Sequence, residues 1–364
     1  MNDFAQQVGD GAGAASLFHA PASVAPLRVG GLTIDAPAFL APMAGVTDLA
    51  MRRLARRFGA GLAFSEMVAS DDFAQAAGGK AGKFGRESVV RAMGEGVSPH
   101  AVQIAGREPE SLAEAARLVA DAGADLIDIN MGCPAKRVVG GAAGSALMRD
   151  LDLAARLIAA VTGAVKVPVS VKMRLGWDEA SLNAPELARR AEAEGAAMVI
   201  VHGRTRNQFY RGAADWAAIG PVCEAVEIPV VANGDCRSPR DAWEMLAQSG
   251  AKAVMIGRAA LGRPWIVGDI AYLLRNGRAR PALSPQARRD AAREHVATLM
   301  DLLGSRQGLR HARKHLAAYA DVAAEEGGGL DAAARRRLVE TEDAREVFDL
   351  LCRLYERAPD LEAA

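Results

Sequence analysis

The feature that most constrains this chain is a rhythm. From residue 37 onward, short apolar runs alternate with longer amphipathic ones. There are eight such runs: "PAFLAPMAG", "LAFSEMV", "HAVQIAG", "LIDIN", "VPVSVKMR", "MVIVHGR", "IPVVANGD" and "AVMIGRA". They are rich in Val and Ile and show no apolar/polar alternation, the pattern of parallel strands covered on both faces. Between them lie helical patterns. In "EPESLAEAARLVADAGA", for example, Leu112, Ala115, Ala116, Val119 and Ala120 fall at helical spacing. "AGAD", "EGAA" and "SGAK" each place a glycine where a helix should end. The stretch between the second run and residue 97 is less clear. Eight strand–helix units in this length predict an α/β fold, a (β/α)8 TIM barrel. A doubly wound sheet is the alternative. It would require a dinucleotide fingerprint after the first strand, and the only G-x-G run near the start, "GDGAGAA", precedes every strand.

The rhythm changes after residue 275. "NGRARPALSPQ" has a linker's composition, and Ser284-Pro285 reads as an N-cap followed by proline at the first helical position. Only helical patterns follow: "REHVATLMDLL", "LRHARKHLAAYADVAAEE" and "EDAREVFDLLCRLYE". In the last of these, Val347, Leu350, Leu351 and Leu354 make one apolar face. The expected organisation is a disordered tail over residues 1–25, a barrel over 26–275 and a smaller all-helical C-terminal domain over 276–364.

Composition excludes more than it selects. Lys+Arg and Asp+Glu balance at 44 each, so a polyanionic partner must be met by a local patch. The four cysteines (Cys133, Cys223, Cys236 and Cys352) are scattered, and no histidine cluster stands at ligand spacing. The expectation is therefore no metal site, no disulfide framework and a reducing compartment. The Ala/Gly-rich start lacks a basic cluster and a continuous apolar core, and no run is long enough to span a membrane. A cytoplasmic location is expected, with no membrane partner.

In a TIM barrel the chemistry lies at the C-terminal ends of the strands. Those positions hold Met43, Glu66, Gln103, Asn130, Cys133, Lys172, Arg174, His202, Arg204, Asn233, Gly234, Asp235, Gly257 and Arg258. "NGD" and "IGRA" end the seventh and eighth runs, where such barrels bind phosphate. They offer backbone N–H groups and an arginine, and so predict a phosphorylated ligand. Cys133 sits between Gly132 and Pro134, close in sequence to Lys136 and Arg137. Cations favour a thiolate, so this cysteine is a candidate nucleophile or an acid of tuned pKa. The other three cysteines read as packing residues.

The ordered set "LAPMAGVTD", "VQIAG", "DINMGCPAKRV" with "GSALM", "VSVKMRLGW", "VHGRTR", "VVANGD", "MIGRAALGRPW" and "ARKHLAAY" resembles the tRNA-dihydrouridine synthases, most closely the bacterial B-type branch. The likeness runs from about residue 28 to about residue 320. It implies an oxidoreductase, an FMN flavoprotein that reduces the C5–C6 bond of particular uridines in tRNA, with NADPH or NADH as reductant. Pro42, Met43 and Ala44 then correspond to backbone contacts with the flavin ring, and Gln103 to a side chain at its polar edge. Lys172 corresponds to the cation beside N1/O2, and His202 joins this shell. Asn233, Gly234, Asp235, Gly257 and Arg258 correspond to the phosphate-holding segments. Cys133 takes the position of the acid that protonates C5, after hydride addition at C6. Asn130 is placed to meet the uracil edge, and the base must leave the tRNA fold to reach it.

Arg310, Arg313 and Lys314 share a helix surface by spacing. By the same resemblance they are expected to touch tRNA. The loop "VVGGAAGS" departs from the pattern, being small and short of basic residues after Arg137. A monomer is expected. A flavin oxidoreductase of free pyrimidines, similar to dihydroorotate dehydrogenases, is the alternative. A basic helical extension counts against it.

Overall fold

The computed structural model describes residues 23–70 and 92–356. The predicted tail lies almost wholly outside them, as does most of the unclear stretch before residue 97.

Eight parallel strands close into a barrel. In chain order they are β3 (Ala38–Leu40), β4 (Leu62–Phe64), β6 (His100–Ala105), β7 (Leu126–Met131), β8 (Val169–Arg174), β9 (Met198–His202), β10 (Val230–Asn233) and β11 (Ala253–Ile256). Each pairs with its neighbour, β4 pairs with β6, and β11 pairs back onto β3, so no edge remains. The predicted second strand, "LAFSEMV", is interrupted. After β4 the chain leaves the ladder at Ser65 and Glu66 and rejoins β6 as the two-residue β5 (Val68–Ala69). At the break, the Glu66 carboxylate accepts the Gly45 amide at 2.6 Å, and Ser65 Oγ donates to the Glu66 carbonyl.

Two short antiparallel strands, β1 (Leu27–Val29) and β2 (Leu32–Ile34), form a hairpin ahead of the barrel. Leu27, Val29 and Ile34 join Phe39, Leu62, Phe64, Leu126, Met198, Ile200 and Val231 in one apolar cluster. This cluster fills the N-terminal end of the barrel. The interior therefore changes character along its axis, from apolar at the hairpin to polar where the strands end.

Helices cover the outside, as the unalternating strands require. They include α1 (Leu49–Arg57), α2 (Pro109–Asp121), α3 (Lys136–Gly140), α4 (Leu151–Ala164), α5 (Ala184–Ala193), α6 (Gly220–Ala225), α7 (Pro239–Ser249) and α8 (Ile266–Asn276). Asp48, Asp150 and Ser238 cap α1, α4 and α7 through their side chains. The glycines expected to end helices do so with positive φ: Gly123, Gly195 and Gly250.

Beyond the barrel the chain is helical: α9 (Pro285–Leu303), α10 (Ser305–Glu325), α11 (Ala332–Glu340) and α12 (Ala344–Leu354). Ser284 caps α9, with Pro285 at its start. α9 and α10 cross at Gly308, where a Cβ would lie 2.5 Å from the Met300 Cα. The apolar core of these helices also takes in Ala50 and Leu54 of α1, and Trp265 just before α8. Phe58 meets Trp265 edge-on. Barrel and helical region thus share one core across α1, which fixes the helices beside the open end. Among the described residues, no helix is long and apolar enough to cross a membrane.

Candidate active site

The register of the ladder gathers the polar strand ends at the mouth, with Asn130 and Lys172 two residues below Arg174, His202 and Asn233. Asn130 stands beside Lys172, Arg174 beside His202, and His202 beside Asn233. Lys172 Nζ donates to Asn233 Oδ1 at 2.9 Å, and Asn233 Nδ2 donates to the Met255 carbonyl. Burial, reinforced by Arg174, lowers the Lys172 pKa, while Asp128 and Cys133 oppose the change.

A cavity of about 420 Å³ opens at this mouth. Of the residues singled out by sequence, Pro42, Met43, Lys172, His202, Asn233, Gly234, Asp235, Gly257 and Arg258 line it. Arg204, also singled out by its strand end, lines it too, as do Tyr210, Arg237 and Arg263. Gly234 has φ +119°, and a Cβ there would fall 2.9 Å from the His202 ring. Its backbone is thus open to a ligand where a side chain would be excluded.

The Asp235 side chain is taken up by two arginines. Its carboxylate pairs with Arg204 at 2.5 Å and Arg258 at 3.3 Å, and also accepts the Ala214 amide. Burial pushes its pKa up, but the hydrogen bonds from Arg204 and Ala214 outweigh this and hold it below the usual carboxylate range. An ionised carboxylate repels a phosphate, so Asp235 aims the arginines, and any anion is met by them and by backbone amides. Arg204 is 1% exposed, and it also donates to the carbonyls of Arg211 and Gly212. His202 is held well below its ordinary pKa by burial and by the field of Lys172, Arg174, Arg204 and Arg258.

Gln103, Asn130 and Cys133 adjoin the cavity through a second network. Gln103 Nε2 and Ser170 Oγ both donate to the buried carboxyl of Asp128, at 2.6 and 2.7 Å. The Gln103 amide is thereby oriented with Oε1 outward, and that oxygen accepts Asn130 Nδ2 at 2.8 Å. Asn130 Oδ1 then faces the next loop and accepts the amides of Gly132 and Cys133. A chain of single polarity thus runs from Asp128 to the cysteine backbone. Ser145 holds the other side of that residue, with both its amide and its hydroxyl on the Cys133 carbonyl. Arg174 donates to the Gly132 carbonyl and to those of Thr205 and Phe209, tying two mouth loops together. Cys133 is half-buried, whereas burial pushes the Cys236 thiol up and the Cys223 thiol to about 11. Ala44 follows Met43 at the rim.

Sequence reading missed Asp128, Ser170 and Tyr210. The signal for Asp128 was there: a carboxylate inside "LIDIN", in a strand buried on both faces, needs partners. Tyr210 is 54% exposed, yet its ring lies between the guanidinium groups of Arg174 and Arg258 at 5.6 and 4.9 Å. It gives the rim an aromatic surface.

On α10 the expected basic strip does not form as drawn. Arg310 is exposed, and Arg313 donates to the Glu340 carbonyl beside Glu342. Lys314 turns toward the barrel: its Nζ would lie 3.2 Å from a Cβ built on Gly45, and it is 3.3 Å from His311 Nε2. Burial lowers its pKa, against the attraction of Asp48 and Glu66. Those carboxylates draw the ammonium off the solvent face. The expectation of no histidine cluster at ligand spacing is also corrected, because His295, His311 and His315 converge on Asp48. They come from α9, α10 and the start of α1, so only the fold brings them together.

The sequence profile of the dihydrouridine synthase family matches residues 39–347. The chain is 51% identical over 316 residues to a probable tRNA-dihydrouridine synthase of Rhizobium leguminosarum bv. phaseoli, covering 87% of this chain and 93% of the relative. It is 50% identical over 295 residues to tRNA-dihydrouridine synthase B of Xanthomonas axonopodis pv. citri, covering 81% and 86%. Among solved structures, histamine dehydrogenase from Rhizobium sp. 4-9 superposes with a TM-score of 0.51 at 13% identity. That match covers 75% of this chain and 50% of the other, and it is a likeness of fold.

Proposed function

This chain belongs to the dihydrouridine synthase family, and from that membership we propose that it reduces the C5–C6 double bond of particular uridines in tRNA, with FMN as cofactor and NADPH or NADH as reductant. The observation that carries the reading is the pairing of two devices at one barrel mouth: the cation-lined cavity over Lys172, and the tethered Cys133 beside it.

The residues present fit a flavin mononucleotide. Pro42, Met43 and Ala44 offer backbone to the ring. Gln103 retains a second amide hydrogen for the ring's polar edge, and Asn130 retains one for the uracil edge. Lys172 and His202 would stand at the ring's polar side, and the backbone of Asn233, Gly234 and Gly257 with the Arg258 guanidinium would hold the phosphate. Bound there, the flavin supplies hydride chemistry that the side chains lack. The chain's own contribution is proton delivery and positioning. Cys133 Sγ gives its proton to C5 of the uracil as C6 is reduced, and its backbone is fixed by Asn130 and Ser145. Arg174 keeps the loops on either side of the mouth in place. The helical region beside the mouth, with Arg310 outward and Lys314 inward, suits a large RNA substrate better than a free pyrimidine.

A dihydrouridine map of tRNA from cells lacking the gene, complemented with wild type or Cys133→Ala, tests the proposal. Wild type should restore dihydrouridine at defined positions. The variant should restore almost none, while the purified protein stays yellow and is bleached by the reductant. Full restoration by Cys133→Ala would remove the cysteine from the chemistry. An unchanged map throughout would remove tRNA as the substrate.

A further inference from the structure

Half of the chain's six histidines meet at the seam between barrel and helical region. Asp48 caps α1 with Oδ1 on the Met51 amide, and it presents Oδ2 to His315 Nε2 at 3.0 Å and His311 Nε2 at 3.3 Å. These two histidines are four residues apart on α10 and therefore share one face. The donor atoms of Asp48, His311 and His315 all lie within 4.8 Å of one another. From α9, the fully buried His295 aims Nε2 at the same carboxylate. That nitrogen is 3.5 Å from Asp48 Oδ1 and makes no hydrogen bond. Its other nitrogen is 3.0 Å from the Tyr319 hydroxyl.

We propose that Asp48, His311 and His315 form a binding site for a divalent cation of the zinc class, completed by His295, whose Nε2 lies outside the close group of the other three and reaches the ion by a shift of its ring, so that the ion fastens α1 of the barrel to α9 and α10. In tetrahedral zinc coordination, with ligand bonds of about 2.0–2.1 Å, ligand atoms stand roughly 3.3 Å apart. The two Asp48–histidine separations on α10, 3.0 and 3.3 Å, come close to that spacing. Three imidazoles and one carboxylate are zinc-class donors. The Tyr319 hydroxyl on His295 Nδ1 and the Met51 amide on Asp48 are the outer contacts that hold such ligands in orientation. His295 and His315 are sealed, while His311 is 28% exposed and provides the way in.

Lys314 sharpens the proposal. Its ammonium stands 3.3 Å from His311 Nε2, so the metal-free cluster already has a cation at its border. A divalent ion would compete with that ammonium and drive it toward Glu66 and Gly45 at the mouth. Lys314 is thus the internal competitor of the metal, and its removal should tighten binding.

The test uses full-length protein without a polyhistidine tag, stripped with chelator and titrated with Co2+ as a visible probe. One cobalt per chain should give the intense absorption of four-coordinate Co2+, be displaced by Zn2+, and raise the melting temperature. His311→Gln, at the accessible position, should weaken binding by about tenfold or more. Lys314→Met should tighten it. Absence of the cobalt band and of any melting shift in the wild type would overturn the proposal. So would a band that survives the His311→Gln/His315→Gln pair, or an affinity that Lys314→Met leaves unchanged or weakens.

Discussion

Asn130 Oδ1 accepts the backbone amide of Cys133 at 3.0 Å, and Asn130 is itself oriented by Gln103, which is oriented by Asp128. The proposed proton donor is therefore held at the end of a directed chain that begins with a carboxyl deep in the barrel. Asn130→Ala removes two acceptor contacts to the loop, at Gly132 and Cys133. With each contributing about 1 kcal/mol, reduction of tRNA should slow by about 10- to 100-fold. Flavin content should be retained. Single-turnover oxidation of the reduced enzyme by tRNA measures the first, and the visible spectrum the second.

The electrostatics of His202 predict a pH effect of definite sign. In the folded protein, burial and four neighbouring cations hold its pKa well below that of the unfolded chain. As pH falls below about 6.5, the unfolded chain takes up this proton before the folded one does, so stability falls with acidification. The contribution is fully present at neutral pH. Denaturant melts at about pH 7 and about pH 5 should show a wild-type loss that His202→Gln reduces. An anion bound beside Arg258 should raise the His202 pKa, which nitrogen-15 spectra of the ring would register.

Asp235→Asn separates aiming from binding. The change leaves Arg204 buried without its counter-charge, which should destabilise the fold by about 3–5 kcal/mol. It adds no repulsion toward phosphate. Flavin should still bind to the variant that remains folded, with affinity altered far less than in Arg258→Ala. Thermal unfolding and fluorescence titration with FMN distinguish the two effects.

The three basic residues of α10 should behave differently from one another. Arg310→Ala, at an exposed position, should weaken tRNA binding mildly and reduce the salt dependence by about one counterion. Arg313 is tied to Glu340 and Glu342, so its alanine variant should lose some stability. Lys314→Ala, beside Gly45, should lower turnover more than affinity. Filter binding across salt concentrations, paired with single-turnover rates, resolves the three.

The barrel was legible because β/α alternation and strand-end polarity are local properties. Lys172, His202 and Asn233 could be placed at one mouth because each lies at or near the end of an apolar run, and parallel strands gather such ends on one side. What was not legible depends on partners far away in sequence. The pairing of Asp235 with Arg204 could not be read from the loop alone. Lys314 lies on the same helical stripe as Arg310, and only Asp48 and Glu66, more than 240 residues earlier, turn it inward. The histidine seam was invisible for the same reason, since its carboxylate and its imidazoles come from opposite ends of the chain. The interruption of the second strand has a local trace in Ser65-Glu66, two polar residues in an otherwise apolar run.

Among the described residues, the hairpin packed into the bottom of the barrel closes that end and leaves the cavity to open at the other. In the proposed reaction the nicotinamide reductant and the RNA base would both reach the same ring, and they could not come from opposite ends. They must take turns, the first leaving before the second enters. Steady-state kinetics should therefore give parallel double-reciprocal lines, and each substrate in excess should inhibit by blocking the other's admission.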